Sequence, residues 1–171
     1  PSEGEVLIGG QTTAGLSSNE LAALRLSRLG FVFQFHFLLP EFSVLHNVAL
    51  TMRRLGRLSE KELTERGLSL LDRLGIADQA EKMPDQLSGG QRQRVAIARS
   101  LGNDPHIILA DEPTGNLDTK NSEVVRDIFR RLAEEEGRTI IAVTHEPAFA
   151  EAAMRNVHLV DGEIVSDFFF F

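Results

Sequence analysis

A chain of 171 residues with 42% apolar side chains is long enough for one good core, or for a core with a smaller satellite lobe, and is too rich in hydrophobes for disorder. Its 18 Lys and Arg against 25 Asp and Glu give a formal charge of −7, which argues against nucleic acid as the main partner, because a phosphate backbone needs clustered cations. With no cysteine, disulfides and thiolate metal sites are excluded, and the five histidines show no ligand spacing beside a carboxylate.

Val6-Leu7-Ile8 reads as a short strand ended by Gly9-Gly10. Ser17 and Glu20 have the spacing of a capping box that opens a short helix through Leu24. Leu29-Gly30-Phe31-Val32-Phe33 is a β-rich run that stops at Gln34, and residues 35–47 mix aromatics, Pro40 and polar residues without a period, which predicts a loop with apolar anchors. A second capping box, Ser59 with Glu62, opens a helix whose Leu63, Leu70, Leu71 and Leu74 share one face and whose end is marked by Gly75. After Pro84, Leu87-Ser88-Gly89-Gly90-Gln91 leads into a helix carrying Val95, Ile97, Ala98 and Leu101 and ending near Gly102.

Residues 106–110 and 138–143 are continuous apolar runs that end in Asp111-Glu112 and Thr144-His145. Between them lies a helix carrying Val124, Val125, Ile128, Phe129 and Leu132, so the order strand, helix, strand predicts a parallel sheet with a right-handed crossover. Residues 156–165 form a closing hairpin around Asp161-Gly162, and Phe168-Phe169-Phe170-Phe171 is an apolar tail that no periodicity explains and that carries an aggregation risk. No apolar stretch approaches a bilayer span, and Pro1-Ser2-Glu3-Gly4 does not open a basic-then-apolar leader, so neither a membrane span nor an export signal is expected.

Two places carry chemistry. Asp111 and Glu112 stand at the C-terminal end of a buried strand, where open α/β sheets bind their ligands, and adjacent strand residues project in different directions. One carboxylate can then hold Mg²⁺ while the other positions water; alone, such a pair is as readily an acidic strand end. Ser88-Gly89-Gly90 at a helix start offers a hydroxyl, unblocked N–H groups and the positive end of the helix dipole, which suit a phosphate. Alone, the triplet is as readily a glycine-rich cap.

The full strings settle between these readings. Leu87-Ser88-Gly89-Gly90-Gln91-Arg92-Gln93-Arg94-Val95-Ala96-Ile97-Ala98-Arg99, followed by Leu109-Ala110-Asp111-Glu112-Pro113-Thr114-Gly115-Asn116-Leu117-Asp118, resembles the nucleotide-binding subunits of ABC transporters. The resemblance covers nearly the whole chain and keeps the family order. Gln34 matches the Q-loop glutamine; Leu87, Ser88, Gly89, Gly90 and Gln91 match the signature; Asp111 and Glu112 match the Walker B pair; Asp118 matches the D-loop aspartate; and His145 matches the switch histidine. Gln34 and His145 stand out only through that order; alone they are a polar loop residue and a strand-end histidine. Phe33-Gln34-Phe35-His36, Leu38-Leu39-Pro40, Asn47-Val48 and Gly115-Asn116-Leu117-Asp118 look like the branch serving lipoprotein release, macrolide export and cell-division complexes.

The resemblance implies an α/β fold: a truncated P-loop NTPase core of the RecA type with a parallel sheet, formed by residues 1–39 and 102–171, and an inserted α-helical subdomain with the signature, residues 40–101. It implies ATP as substrate and Mg²⁺ as cofactor, with water attacking the γ-phosphate in line. Glu112 would be the general base, Asp111 and Gln34 would arrange Mg²⁺ and water, and His145 would steady the γ-phosphate. Residues 87–91 would act on the nucleotide of a second copy, so a homodimer is expected, docked on transmembrane permease subunits at the cytoplasmic face of the inner membrane and without nucleic acid.

One motif departs from the pattern. G-x-x-x-x-G-K-S/T, whose amides cradle phosphate and whose lysine neutralises it, has no match, since Lys61, Lys82 and Lys120 all lack the preceding glycine. Gly10-Gln11-Thr12-Thr13-Ala14-Gly15-Leu16-Ser17 mimics its spacing with Leu16 at the lysine position. The expectation is that the N-terminal segment of the domain precedes Pro1, and that Gly10 to Ser17 is an ordinary connection. Two functions follow: an energy-coupling ATPase subunit, or a non-catalytic module that docks on a permease or lends its signature to a partner ATPase.

Overall fold

In the computed structural model, which describes residues 3–169, β1 (Leu7–Ile8) and β2 (Gln11–Thr12) close an antiparallel hairpin over Gly9-Gly10. Both glycines have positive φ, +57° and +79°, which residues without a Cβ adopt freely. The stretch that mimics a phosphate loop therefore begins inside a hairpin separate from the main sheet, not after one of its strands. The expected capping box opens α1 (Ser18–Arg28): Glu20 Oε2 accepts from the Ser17 N–H at 2.8 Å, and Ser17 Oγ accepts from the Glu20 N–H at 3.3 Å. The helix runs on past Leu24 because no breaker lies before Gly30, and it stops where Leu29 enters the sheet.

That sheet has three parallel strands in the order β3 (Leu29–Val32), β4 (Ile107–Asp111), β5 (Thr139–Val143), in the register Val32 opposite Ala110 opposite Ala142. Alternation along the strands sends Val32, Ile108 and Ala110 into the core, while Ile141 and Val143 on β5 remain 54% and 64% exposed. Between β4 and β5 runs α5 (Thr119–Glu134), which buries Val125, Ile128, Phe129 and Leu132, while Val124 stays exposed.

The widest departure from expectation is α2 (Val44–Leu55), which begins inside the stretch predicted as loop. Ser43 is its cap, with Oγ accepting from the His46 N–H at 3.3 Å, and Val44, Val48, Ala49 and Met52 form its buried stripe. The stripe is broken at Asn47, which is fully buried although polar. Its Nδ2 donates to the carbonyls of Leu39, Phe42 and Ser43 at 3.0, 2.9 and 3.1 Å, and its Oδ1 accepts from the Leu39 N–H at 2.8 Å. A periodicity count reads such a residue as the end of a helix; here it fastens the preceding loop to one.

α3 (Glu60–Arg73) and α4 (Gly89–Ser100) lie where their capping signals put them, joined through two 3-10 turns, Ala77–Gln79 and Pro84–Gln86. Met52, Leu71, Ile76, Ile97 and Leu101 pack between the helices, and their cluster is continuous with Ile108, Ala110 and Phe129. A one-turn helix absent from the sequence reading, α6 (Pro147–Ala150), buries Phe149 edge-on against Phe129 with ring centroids 5.9 Å apart. β6 (Arg155–Val160) and β7 (Glu163–Phe169) make the closing hairpin. Part of the expected tail belongs to it, because Phe168 lies opposite Asn156 and Phe169 opposite Arg155, whose guanidinium sits 4.9 Å from the Phe169 ring centre; Phe170 and Phe171 lie outside the described residues. No helix among the described residues is long and apolar enough to cross a membrane.

Candidate functional site

β4, the central strand, delivers Asp111 and Glu112 to the C-terminal end of the sheet, and there the backbone changes hand: Glu112 has φ +44°. An L-residue held in that region costs about 1 kcal/mol and persists only where neighbours enforce it. The Glu112 N–H donates to the Val143 carbonyl at 2.9 Å, and the Glu112 carbonyl accepts from the Gly115 N–H at 3.1 Å. The side chain is thereby aimed at the end of β5, where Glu112 Oε1 lies 2.8 Å from His145 Nδ1. Glu112 is 19% exposed and His145 80% exposed, so the pair has a sheltered carboxylate and an imidazole open to solvent. The Glu112 hydrogen bond, then its charge, raises the His145 pKa above the ordinary imidazole value. Asp111 is exposed, and its side chain has no hydrogen bond or ion pair among the described residues.

Gln34 follows β3 and meets the same turn. Its Nε2 donates to Asn116 Oδ1 at 3.5 Å, and Asn116 Nδ2 donates to the Gln34 carbonyl at 3.3 Å. Gly115 separates Gln34 from Glu112: a Cβ there would lie 3.0 Å from Gln34 Nε2 and 3.5 Å from Glu112 Cβ. Beyond Gln34 the chain turns through two left-handed residues, His36 (φ +60°) and Phe37 (φ +47°). The Arg99 guanidinium on α4 donates to both their carbonyls, at 2.6 Å to that of Phe37.

Residues 87–91 form a second focus. Ser88 caps α4, its Oγ accepting from the Gln91 N–H at 3.2 Å while Gln91 Oε1 accepts from the Ser88 N–H at 2.8 Å. Leu87 and Gly90 are buried, whereas Ser88 is exposed at a helix N-terminus, a position that favours anions. Gly90 admits no side chain, since a Cβ would fall 2.0 Å from Asn121 Oδ1. Asn121 Nδ2 in turn donates to both Asp118 carboxylate oxygens at 2.9 Å, and the Asn121 N–H donates to Oδ1 at 2.8 Å, so Asp118 caps α5. The Asn121 N–H, more than its side chain, holds the Asp118 pKa below the usual carboxylate range.

The structure thus gathers Gln34, Glu112 and His145 around the turn after β4, and Ser88, Gly89, Gly90, Gln91 and Asp118 around the start of α4. No hydrogen bond among the described residues joins the 87–91 segment to Glu112 or His145. The two foci are bridged instead by Gln93, 1% exposed, whose Nε2 donates to the Pro113 carbonyl at 2.7 Å. The sequence reading singled out neither Gln93 nor Asn116, Asn121, Thr114 or Glu146. The Thr114 hydroxyl donates to Glu146 Oε2 at 2.6 Å, tying the turn to the residue after His145. A signal existed for Gln93, one helical turn beyond Gly90 and hence on the same buried side of α4; none existed for Thr114 and Glu146, whose meeting depends on the register of β4 with β5.

A protein-family model described as ABC transporter matches residues 1–115. The chain is 46% identical over 167 residues to the lipoprotein-releasing system ATP-binding protein LolD 1 of Chlorobium chlorochromatii, covering 98% of this chain and 68% of that protein. It is 47% identical over 165 residues to the macrolide export ATP-binding/permease protein MacB of Syntrophobacter fumaroxidans, covering 96% of this chain and 23% of that protein. Among solved structures, the dimeric post-hydrolysis state of the ATP-binding cassette MJ0796 with ADP and Pi superposes with a TM-score of 0.90 at 41% identity, covering 99% of this chain and 74% of that chain.

Proposed function

Because the chain belongs to the ABC transporter family, we propose that it is an ATP-binding, ATP-hydrolysing subunit of a transporter in the lipoprotein-release and macrolide-export branch. The observation that carries the hydrolytic part is the Glu112–His145 pair at the end of β4. A sheltered carboxylate with one oxygen bonded to an imidazole suits a general base that takes a proton from water attacking the terminal phosphate. His145, kept inclined to hold its proton, would steady the charge that builds on that phosphate. Gln34, touching the same turn through Gly115, would orient the water.

Asp111 offers a hard, exposed oxygen donor with no competing partner among the described residues, the kind of single carboxylate that holds Mg²⁺ together with substrate phosphates and water. Mg²⁺ held there, with Gln34 nearby, would neutralise phosphate charge.

Ser88, Gly89 and Gly90 would act on nucleotide held by a second copy, with Asp118 at the same surface, so the working unit would be a dimer; the MJ0796 cassette is dimeric. The dimer would sit on permease subunits at the cytoplasmic face of the inner membrane. The competing reading, a non-catalytic module that only lends its signature, is less favoured because it gives the Glu112–His145 pair no chemical task.

Titration with Mg²⁺-ATP and measurement of phosphate release test the proposal. Glu112→Gln should leave nucleotide affinity within about twofold and lower turnover by roughly 10²–10⁴-fold, the range for loss of a general base. Equal loss of binding and turnover would remove Glu112 from that role. A protein that carries the segment upstream of Pro1 and binds no ATP, yet stimulates hydrolysis by a cassette lacking its own signature, would establish the module instead.

A further inference from the structure

Several bonds hold the turn after Glu112; beside the Thr114 hydroxyl bond to Glu146, three involve Glu112 or the residue next to it. The Val143 carbonyl takes the Glu112 N–H, the Glu112 carbonyl takes the Gly115 N–H, and Gln93 on α4 donates to the Pro113 carbonyl between them. The first two bonds belong to the sheet and to the turn itself. The third comes from the helix that begins with Ser88, and it is buried, short and separated by 20 residues of sequence.

Packing does not account for an amide at this place. Gln93 is 1% exposed, and its Oε1 accepts no hydrogen bond from the described residues, so the bond this amide makes is the one through Nε2. A methionine or leucine would fill similar space without needing that partner. The useful half is Nε2, which fixes the Pro113–Thr114 peptide, one residue beyond the left-handed Glu112. An enforced conformation of that kind relaxes when a restraint is removed. The direction of the Glu112 side chain, and with it the 2.8 Å bond to His145, therefore depends on where α4 stands.

We propose that Gln93 is a positioning residue for Glu112: its bond to the Pro113 carbonyl makes the turn carrying the carboxylate follow the helix that begins at Ser88. The assignment rests on the reading of Glu112 as the base. Its consequence is that a ligand pressed against the Ser88 end of α4 alters the aim of Glu112 in the same chain, so that two surfaces serving different nucleotides in a dimer are mechanically linked.

The test uses nitrogen NMR of the His145 ring in the full chain at one fixed pH, together with amide hydrogen exchange. Glu112→Gln defines the ring signal of an unpaired His145. Gln93→Met, which keeps the volume and removes the donor, should move the His145 signal toward that of Glu112→Gln and speed exchange of the Gly115 amide about tenfold, while Leu71 on α3 keeps its protection. Gln93→Leu, which likewise lacks a donor, should do the same. In the unsubstituted protein the Gln93 side-chain NH₂ should exchange slowly and show contacts to Thr114, a measurement that stands even if both variants fail to fold. An unchanged His145 signal in either folded variant, or a freely exchanging Gln93 amide, would overturn the assignment. If Glu112→Gln itself fails to move His145, the pair behind the functional reading falls as well, which separates the two failures.

Discussion

Val48, Met52, Leu71 and Ile97, on the three helices α2, α3 and α4, are sealed from solvent, whereas Ile141 and Val143 on β5, Leu159 on β6 and Ile164 on β7 stand more than half exposed. Residues of the same chemistry therefore do different work on the two sides of the molecule. On the helical side they exclude water, make one continuous cluster and position α4. On the strand side such residues stand exposed among the described residues, and the backbone register there brings Glu112 to His145.

Substitution by alanine on each side puts this contrast to its hardest test. Leu71→Ala, at a site with no exposure, should cost roughly 2–5 kcal/mol in chemical denaturation, while Val143→Ala should cost less than about 0.5 kcal/mol. Equal costs would erase the distinction. Between these lies Gly90→Ala. Its new methyl would collide with Asn121 Oδ1, so about 1–3 kcal/mol should be lost through overpacking, and α5 should fray at Asp118 in hydrogen exchange.

The smallest effect is a difference of sign between two histidines. Burial, then the charges of Arg92 and Arg99, lowers the His36 pKa below the ordinary 6.5, whereas Glu112 raises that of His145 above it. For His36 the unfolded chain binds the proton first, so acidification below about pH 6.5 works against the fold. For His145 the contribution is complete below the unfolded value of 6.5 and is lost as pH rises through the folded one. Proton NMR titration should order the two midpoints accordingly, and a reversed order would show that the two environments have been misassigned.

Much of this architecture was legible before any coordinates. The capping boxes at Ser17 and Ser59 mark their helix starts because they are local hydrogen-bond patterns with fixed spacing. β4 and β5 show as apolar runs for the same local reason. Helix α2 escaped because its decisive residue, Asn47, is polar for the sake of a loop to its N-terminal side, and pattern reading assigns polarity to solvent. Gln34 and His145 were marked by their order among the motifs, and their meeting with Glu112 is a property of parallel register. The bond between Thr114 and Glu146 joins residues far apart in sequence and left no local trace.

Asn47 has a consequence for how such a surface changes over time. One buried side chain makes four hydrogen bonds that shape the backbone of residues 39–43, while Leu39 and Phe42 on that same stretch point outward, each 38% exposed. The mounting and the display are written in different letters of the sequence. The outward residues are open to exchange for others of new size or polarity while the loop keeps its course, so that the surface beside Gln34 can be refitted to a different neighbour without any alteration to the machinery behind it.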